Sequence, residues 1–206
     1  MFTVVEHPLI QVHIARMRDE STDGDAFGRH LTAIARLMAF PALQDLTVAL
    51  QDVQTPLRMT QGAYLPHVPV LVPVLRAGLG MVEGFRDVIP NAVVSHLGMY
   101  RDHQTLQPIR YYSNFPSDRR SHPFVVLDPM LATGGSAVDS VDFLKSEGAQ
   151  NIRLVAILAA PEGIARFTAA HQDVGVYTAA LDERLDERGY ILPGLGDAGD
   201  RQFGTV

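Results

Sequence analysis

From residue 68 onward the chain alternates between short, almost wholly apolar runs and longer stretches in which apolar residues recur at helical spacing. The runs cover residues 68–75, 92–97, 124–127, 152–158 and 174–179, and each ends in turn formers. A strand that is apolar at every position, rather than at alternate ones, has both faces covered, the condition of a parallel strand in an α/β fold. Between the runs, residues 81–88, 136–147 and 162–171 have helical periodicity, and Gly148 stands where a helix closes in the left-handed conformation. The first forty residues read as helical: Leu9, Val12, Ile14 and Met17, then Phe27, Leu31, Ile34, Leu37 and Met38, with Ser21, Thr22 and Asp23 as caps before the second set. Residues 50–66 read as short strands and turns, and residues 99–122, rich in Arg, Tyr, Asn, Ser and Pro, as an extended hairpin arm or loop. No repeat or long linker divides the 206 residues, so one domain with a parallel sheet covered on both faces is expected.

Composition narrows the function classes. With 17 basic and 23 acidic residues the formal charge is −6, which leaves no global basic surface for a nucleic-acid backbone. The absence of cysteine excludes disulfides, thiolate nucleophiles and thiolate-bound metals. No run approaches 18 apolar residues and the start lacks a basic segment followed by an apolar core, so no membrane association and a cytoplasmic location are expected. Lys145 is the only lysine, a skew toward arginine that carries no functional meaning by itself.

Three glycine-rich loops carry candidate chemistry. In the first, an apolar strand runs through Leu127 into Asp128, Pro129, Met130, Leu131, Ala132, Thr133, Gly134, Gly135 and Ser136, where a helix begins. Gly134 and Gly135 permit close backbone approach, while Thr133, Ser136 and the free N–H groups of the helix start can cradle a phosphate. Asp128 is placed to accept hydrogen bonds from ribose hydroxyls beside that phosphate. Taken alone, the segment also suits an ordinary strand-to-helix turn capped by Ser136. The second loop, residues 74–81, sets Arg76 beside Gly78 and Gly80 at the end of another strand, a place for an anion or for a surface arginine in a tight turn. In an open parallel sheet the two loops face one crevice if their strands are near neighbours. The third, residues 190–201, contains a formal GxGxxG at Gly194, Gly196 and Gly199. Too little chain follows for the helix, strand and acid of a dinucleotide site, so the segment is either a backbone wall against a small planar base or a frayed tail.

Other candidates are weaker. The eight histidines are scattered along the sequence, with neither HExxH nor a close set of His, Asp and Glu, and no GxSxG elbow is present. Asp182, Glu183, Asp186 and Glu187 interleave with Arg184 and Arg188 as a solvated charged face. Arg110, Arg119 and Arg120 could form a local basic patch, whereas Arg101, beside Tyr100 and just beyond an apolar strand, is better placed for a ligand.

From His7-Pro8-Leu9 to Phe203-Gly204-Thr205 the chain resembles uracil phosphoribosyltransferases. The resemblance is carried by residues 74–81, 98–101, 128–136, 159–163 and 190–201, in the family's order and spacing. It implies a type I phosphoribosyltransferase fold, a parallel sheet flanked by helices with a hood and an extended β-arm, assembled as a homodimer or higher homo-oligomer. By position, Arg76, Arg101, Asp128 to Ser136 and Asp197 would bind phosphoribosyl diphosphate, and Ile191, Gly196, Asp197 and Ala198 would bind uracil. Arg76, Arg101, Asp128 and Asp197 are the implied catalytic groups. Many type I relatives carry two adjacent acids where this chain has Asp128-Pro129, a substitution normal in the uracil branch. Magnesium would then be held through the diphosphate and water. GTP as an effector is left open, and the arm departs from the family pattern at Asn114, Arg119 and Arg120. The implied reaction is attack of uracil N1 on ribose C1 as diphosphate leaves, giving UMP. Alternatives are transfer to another base, with Arg201 the only arginine in the third loop for an orotate carboxylate, and an RNA-binding regulator on the same fold.

Overall fold

The computed structural model describes residues 1–101 and 108–205, and the side chains of residues 97–113 lie outside what is described. The strands are β1 (Phe2–Val4), β2 (Ala49–Gln54), β3 (Met59–Tyr64), β4 (Val70–Pro73), β5 (Val93–Val94), β6 (Leu97–Arg101), β7 (Pro108–Ser113), β8 (Pro123–Leu127), β9 (Met130–Leu131), β10 (Asn151–Ala159), β11 (Gly175–Leu181), β12 (Arg184–Leu185) and β13 (Ile191–Leu192). The helices are α1 (Pro8–Arg18), α2 (Gly24–Ala42), α3 (Leu79–Val88), α4 (Gly135–Ser146), α5 (Pro161–Ala170) and α6 (Ala198–Phe203). The main sheet runs β1-β11-β10-β8-β4-β5 with every pairing parallel, and β9 adds to β10.

The all-apolar strands are explained by what each face meets. Leu71, Val125, Leu127, Val155 and Ile157 pack with Ile14, Met17, Phe27, Leu31, Ile34, Met38 and Phe85 of α1, α2 and α3. Their alternates, Val70, Val72, Phe124, Val126, Leu154 and Ala156, pack with Val141, Leu144 and Phe167 of α4 and α5. Side chains alternate across a strand with period two, so a sheet buried on both sides needs an apolar residue at every position. Among the described residues no helix is long and apolar enough to cross a membrane.

The structure amends several expectations. The first forty residues are not wholly helical, because β1 pairs with β11 from Phe2↔Val176 to Val4↔Thr178 and forms a sheet edge. Asp23 alone caps α2, its side chain accepting from Ala26 N. The run at 92–97 divides, with β5 ending at Val94 and Leu97 opening the antiparallel hairpin of β6 and β7. Residues 102–107 of the expected arm lie outside the described residues. Ser136 is not the cap of α4: Gly134 holds that position at φ +76°, with no side-chain cap. Asp182 is not part of a solvated face, since it is buried and forms a bidentate pair with Arg18 (2.5 and 2.8 Å). Nor are all the histidines apart, because His67, Asp118 and His122 come together at the amino-terminal ends of β4 and β8.

Candidate active site

β4 and β8 are direct parallel neighbours, with Pro73 opposite Leu127, so the loops that follow them leave the sheet side by side. Val74 N–H donates to Leu127 O at 2.9 Å, which ties the start of one loop to the strand end that launches the other. Gly78 lies where this junction closes: a Cβ there would stand 2.2 Å from Leu127 O and 2.7 Å from Val74 N. The glycine is therefore a matter of space, since any side chain would force the two loops apart.

The loop after β8 is stapled to β10 along its backbone. Asp128 N–H donates to Val155 O (3.1 Å), Pro129 O accepts from Ile157 N and Leu158 N (3.1 and 3.0 Å), and Leu131 O accepts from Ala160 N (3.0 Å). Asp128 itself is half-buried, and its carboxylate accepts only the Met130 N–H at 3.2 Å among the described residues. Burial raises its pKa from 3.8 to about 6, opposed in part by that hydrogen bond. Beyond it, Gly134 turns the chain into α4, where a Cβ would meet Gly163 O at 2.8 Å. No side chain caps the first turn of α4, the positive end of a 12-residue helix.

Arg76 projects from the other loop with its side chain about half exposed. It pairs with Asp200 Oδ1 at 3.0 Å, reaches Thr205 Oγ1 at 3.4 Å and lies over the Phe203 ring at 5.9 Å. Asp200 is held below the usual carboxylate range, first by the Thr205 hydroxyl and then by Arg76. Arg101 ends β6, and its side chain lies outside the described residues.

The third loop is an ordered wall rather than a frayed tail. β12 and β13 form a short antiparallel hairpin, the Leu192–Pro193 bond is cis, and Gly194 and Gly196 take φ of +61° and +80°. Asp197 then caps α6 by accepting from Asp200 N at 2.9 Å. Two side chains outside the motifs, Arg18 and Asp182, and Arg201 at the end of the loop itself fix this wall. Arg18 donates to Gly194 O at 2.7 Å, and Asp182 accepts from Gly194 N at 3.0 Å. Arg201 donates to Leu195 O (3.0 Å) and Asp19 O (2.7 Å), as well as to Met17 O, with its guanidinium 4.7 Å from the centre of the Phe27 ring. Arg201 is thus committed to backbone carbonyls and is not offered to a substrate carboxylate.

All three loops meet around a cavity of about 220 Å³ lined by Ala77, Met130, Ala132, Gly189, Tyr190, Ile191, Gly196, Asp197, Ala198 and Gly199. Ile191, Gly196, Asp197 and Ala198 line it together with one residue of the Arg76 loop and two of the Asp128 loop. Arg76, Asp128 and the residues from Thr133 to Ser136 are absent from its lining and extend from the same loops. A larger groove of about 850 Å³, bounded by α2, α3 and α6, contains none of these residues.

Comparison with known proteins decides the family. The profile described as Uracil phosphoribosyltransferase matches residues 4–205. The chain belongs to the uracil phosphoribosyltransferase family. A uracil phosphoribosyltransferase of Brucella anthropi is 50% identical over 204 residues, covering 98% of each chain, and one of Dictyoglomus turgidum is 47% identical over the full length of both. A solved protein of Aquifex aeolicus superposes with a TM-score of 0.92 at 35% identity, covering 100% of this chain and 99% of the other. Adenine phosphoribosyltransferase of Trypanosoma brucei, solved with AMP, pyrophosphate and ribose-5-phosphate, shares the fold alone: TM-score 0.60 and 13% identity, over 95% of this chain and 88% of that one. As a member of the uracil phosphoribosyltransferase family the chain has a parallel sheet flanked by helices, as its type I relatives do.

Proposed function

We propose that this chain transfers the 5-phosphoribosyl group of phosphoribosyl diphosphate to N1 of uracil, releasing UMP and diphosphate, and that the three loops divide the substrates between them. The supporting observation is their convergence on one small cavity at the carboxyl ends of β4 and β8, where an open parallel sheet binds ligands. The uncapped start of α4 and the loop from Thr133 to Ser136 hold the 5-phosphate. Asp128 accepts from the ribose hydroxyls. Arg76, Arg101 and the bare backbone around Gly78 hold the diphosphate. The wall of Ile191, Gly196, Asp197 and Ala198 reads the base by its backbone, and Asp197 also faces the ribose.

As uracil N1 bonds to C1, the bond from C1 to the diphosphate oxygen breaks and the electron pair leaves with the diphosphate. Charge therefore grows where Arg76 stands, so its guanidinium is worth more in the transition state than before it. At rest Arg76 is paired with Asp200, but the pair is substantially exposed and screened by water, so a diphosphate with greater charge displaces it. The chain offers Asp128 as the one acid of its strand-end loop, which suits a magnesium ion that keeps its water and travels on the diphosphate. When bound, that ion supplies neutralisation of the leaving group.

Assembly into a homo-oligomer is supported by the β2–β3 hairpin, which carries Leu50, Leu57 and Met59 exposed to solvent. Of the basic patch that the regulator alternative would use, Arg119 is paired with Glu147 at 3.5 Å, and the side chain of Arg110 lies outside the described residues.

The test is incubation with phosphoribosyl diphosphate, magnesium and a panel of bases. UMP is the expected product, with cytosine poorer by about tenfold to a hundredfold for each donor or acceptor it mismatches against the backbone wall. Equal rates with uracil and cytosine, or nucleotide formed from a purine in preference to uracil, would remove the reading.

A further inference from the structure

At the opposite, amino-terminal ends of the strands, His67 precedes β4 and His122 immediately precedes β8, so the parallel pairing of these strands sets the two histidines side by side. Asp118, one helical turn before His122, completes the group, and the potential ligand atoms of the three residues all lie within 4.8 Å of one another. The His67 and His122 rings meet edge to face, with centroids 5.6 Å apart. His122 Nδ1 lies 2.8 Å from Val68 O. A carbonyl oxygen can only accept, so Nδ1 carries the proton, and in the neutral ring Nε2 presents a lone pair. That lone pair faces Asp118 Oδ1, another acceptor, at 3.2 Å. Two acceptors at that distance need something positive: a second proton on the ring, or a cation between them.

The arrangement favours a cation. In metal sites a histidine commonly ligates through one nitrogen while the other donates to a backbone carbonyl, which fixes the tautomer and the ring's orientation. With zinc–ligand bonds of about 2.0–2.1 Å, donors of a tetrahedral site stand roughly 3.3 Å apart, and the His122–Asp118 separation of 3.2 Å already matches. His67 is exposed, and closing the site requires its ring to move over the remaining distance. Two imidazoles and one carboxylate select a borderline transition ion over magnesium, which prefers oxygen alone.

We propose that His67, Asp118 and His122 form a binding site for a divalent transition-metal ion of the zinc type, with a fourth position left to water. The site is a clamp: it joins the return segment of the β6–β7 arm to the lead-in of β4. It lies about a strand length, roughly 13–17 Å, from the loops at the carboxyl ends of β4 and β8, so the bound ion stabilises the fold without entering the transfer reaction.

The experiment titrates Zn²⁺ into the chelator-treated full-length protein by calorimetry, with Mg²⁺ in parallel. One tight Zn²⁺ per chain is expected, with no comparable Mg²⁺ binding. At hundredfold excess over its Kd, Zn²⁺ should raise Tm by about 5 to 10 °C. His67→Ala and Asp118→Asn should each weaken Zn²⁺ at least about 10- to 100-fold and abolish the Tm rise, while UMP formation in magnesium is unchanged. His13→Ala, which removes one partner of the separate His13–His30 pair, should leave the tight site intact. Absence of tight Zn²⁺ binding would identify the His122–Asp118 contact as an ion pair and overturn the proposal. Equal Zn²⁺ affinity in wild type, His67→Ala and Asp118→Asn would also overturn it.

Discussion

Asp128→Asn separates the charge of this carboxylate from its shape. In the free protein burial holds the carboxyl near pKa 6, against 3.8 for an ordinary aspartate. The ionised fraction is therefore nearly complete at pH 8 and about one in ten at pH 5. Ribose hydroxyls donating to Asp128 require that ionised form. A hydrogen bond to a charged acceptor contributes about 1.5–3 kcal/mol, so at pH 8 the variant should lose roughly ten- to 150-fold in kcat/KM for phosphoribosyl diphosphate. The substrate's own 5-phosphate titrates near pH 6 as well, which is why the informative quantity is the ratio of wild type to variant across pH. That ratio should fall by about tenfold between pH 8 and pH 5, because only the wild type loses a charge on the protein side.

Stability supplies a second readout with no substrate present. A carboxyl whose pKa is raised on folding favours the folded state below about pH 3.8, and that contribution is lost as pH rises through 6. The shift of about two units corresponds to at most about 3 kcal/mol. Asp128→Asn should accordingly be the more stable protein at pH 8, by up to about 6 to 12 °C in Tm, with the difference closing below pH 4. A wild-type to variant kinetic ratio independent of pH, together with no gain in Tm at pH 8, would refute both the burial argument and the ribose contact.

Arg76→Ala should lower kcat by about 10² to 10³, the cost of removing one donor from developing negative charge, with a smaller change in the KM for uracil. Steady-state kinetics varying each substrate checks this, and a folded variant with normal kcat would exclude a leaving-group role. Gly78→Ala places a Cβ 2.2 Å from Leu127 O and should part the two loops. A loss of about 1–3 kcal/mol in stability is expected, the usual cost of overpacking, along with weakened phosphoribosyl diphosphate binding. Thermal melting and a substrate-binding titration check it, and unchanged values in both would show that the junction is looser than its geometry requires.

The covered sheet was legible because burial on two faces leaves a mark at every residue of a strand, and Leu71, Val125 and Val155 carry that mark as plainly as their alternates Val72, Val126 and Leu154. β1 carries no such mark. Three residues, Phe2–Val4, are too few to show a period, and only pairing with β11 makes them a strand. The candidate loops were legible for the same reason as the sheet: small residues and one acid directly after an all-apolar run have a use only where the strand ends. The side chains that position the third loop were not. Asp182 sits among alternating charges that suit a solvated face, but its partner Arg18 lies 164 residues away and no local spacing records that contact. Ser136 and Gly134 show the limit at shorter range. Both suit a helix start, and only the backbone, at φ +76°, decides for the glycine. The His67, Asp118 and His122 group combines both limits: Asp118 and His122 stand four residues apart in sequence, yet nothing local brings His67 to them until β4 and β8 pair.

The role proposed for Arg76 requires that its contact with Asp200 be exchangeable. Asp200 owes its lowered pKa first to the Thr205 hydroxyl and only then to Arg76. When a diphosphate takes the guanidinium, the carboxylate therefore keeps its stronger partner and, being in contact with water, is not left as a bare buried charge. Had Asp200 been buried like Asp182, releasing its arginine would carry a large desolvation cost and the pair would oppose substrate binding. Exposure makes the contact cheap to exchange, and the close approach of Gly78 to Leu127 O keeps the Arg76 loop against the strand end that presents Asp128. The two ion pairs of this region differ in kind: the Arg18–Asp182 pair, with its carboxylate buried, fixes the third loop, and the more exposed Arg76–Asp200 pair is one that, on the proposed function, would yield to charge developing on the leaving group.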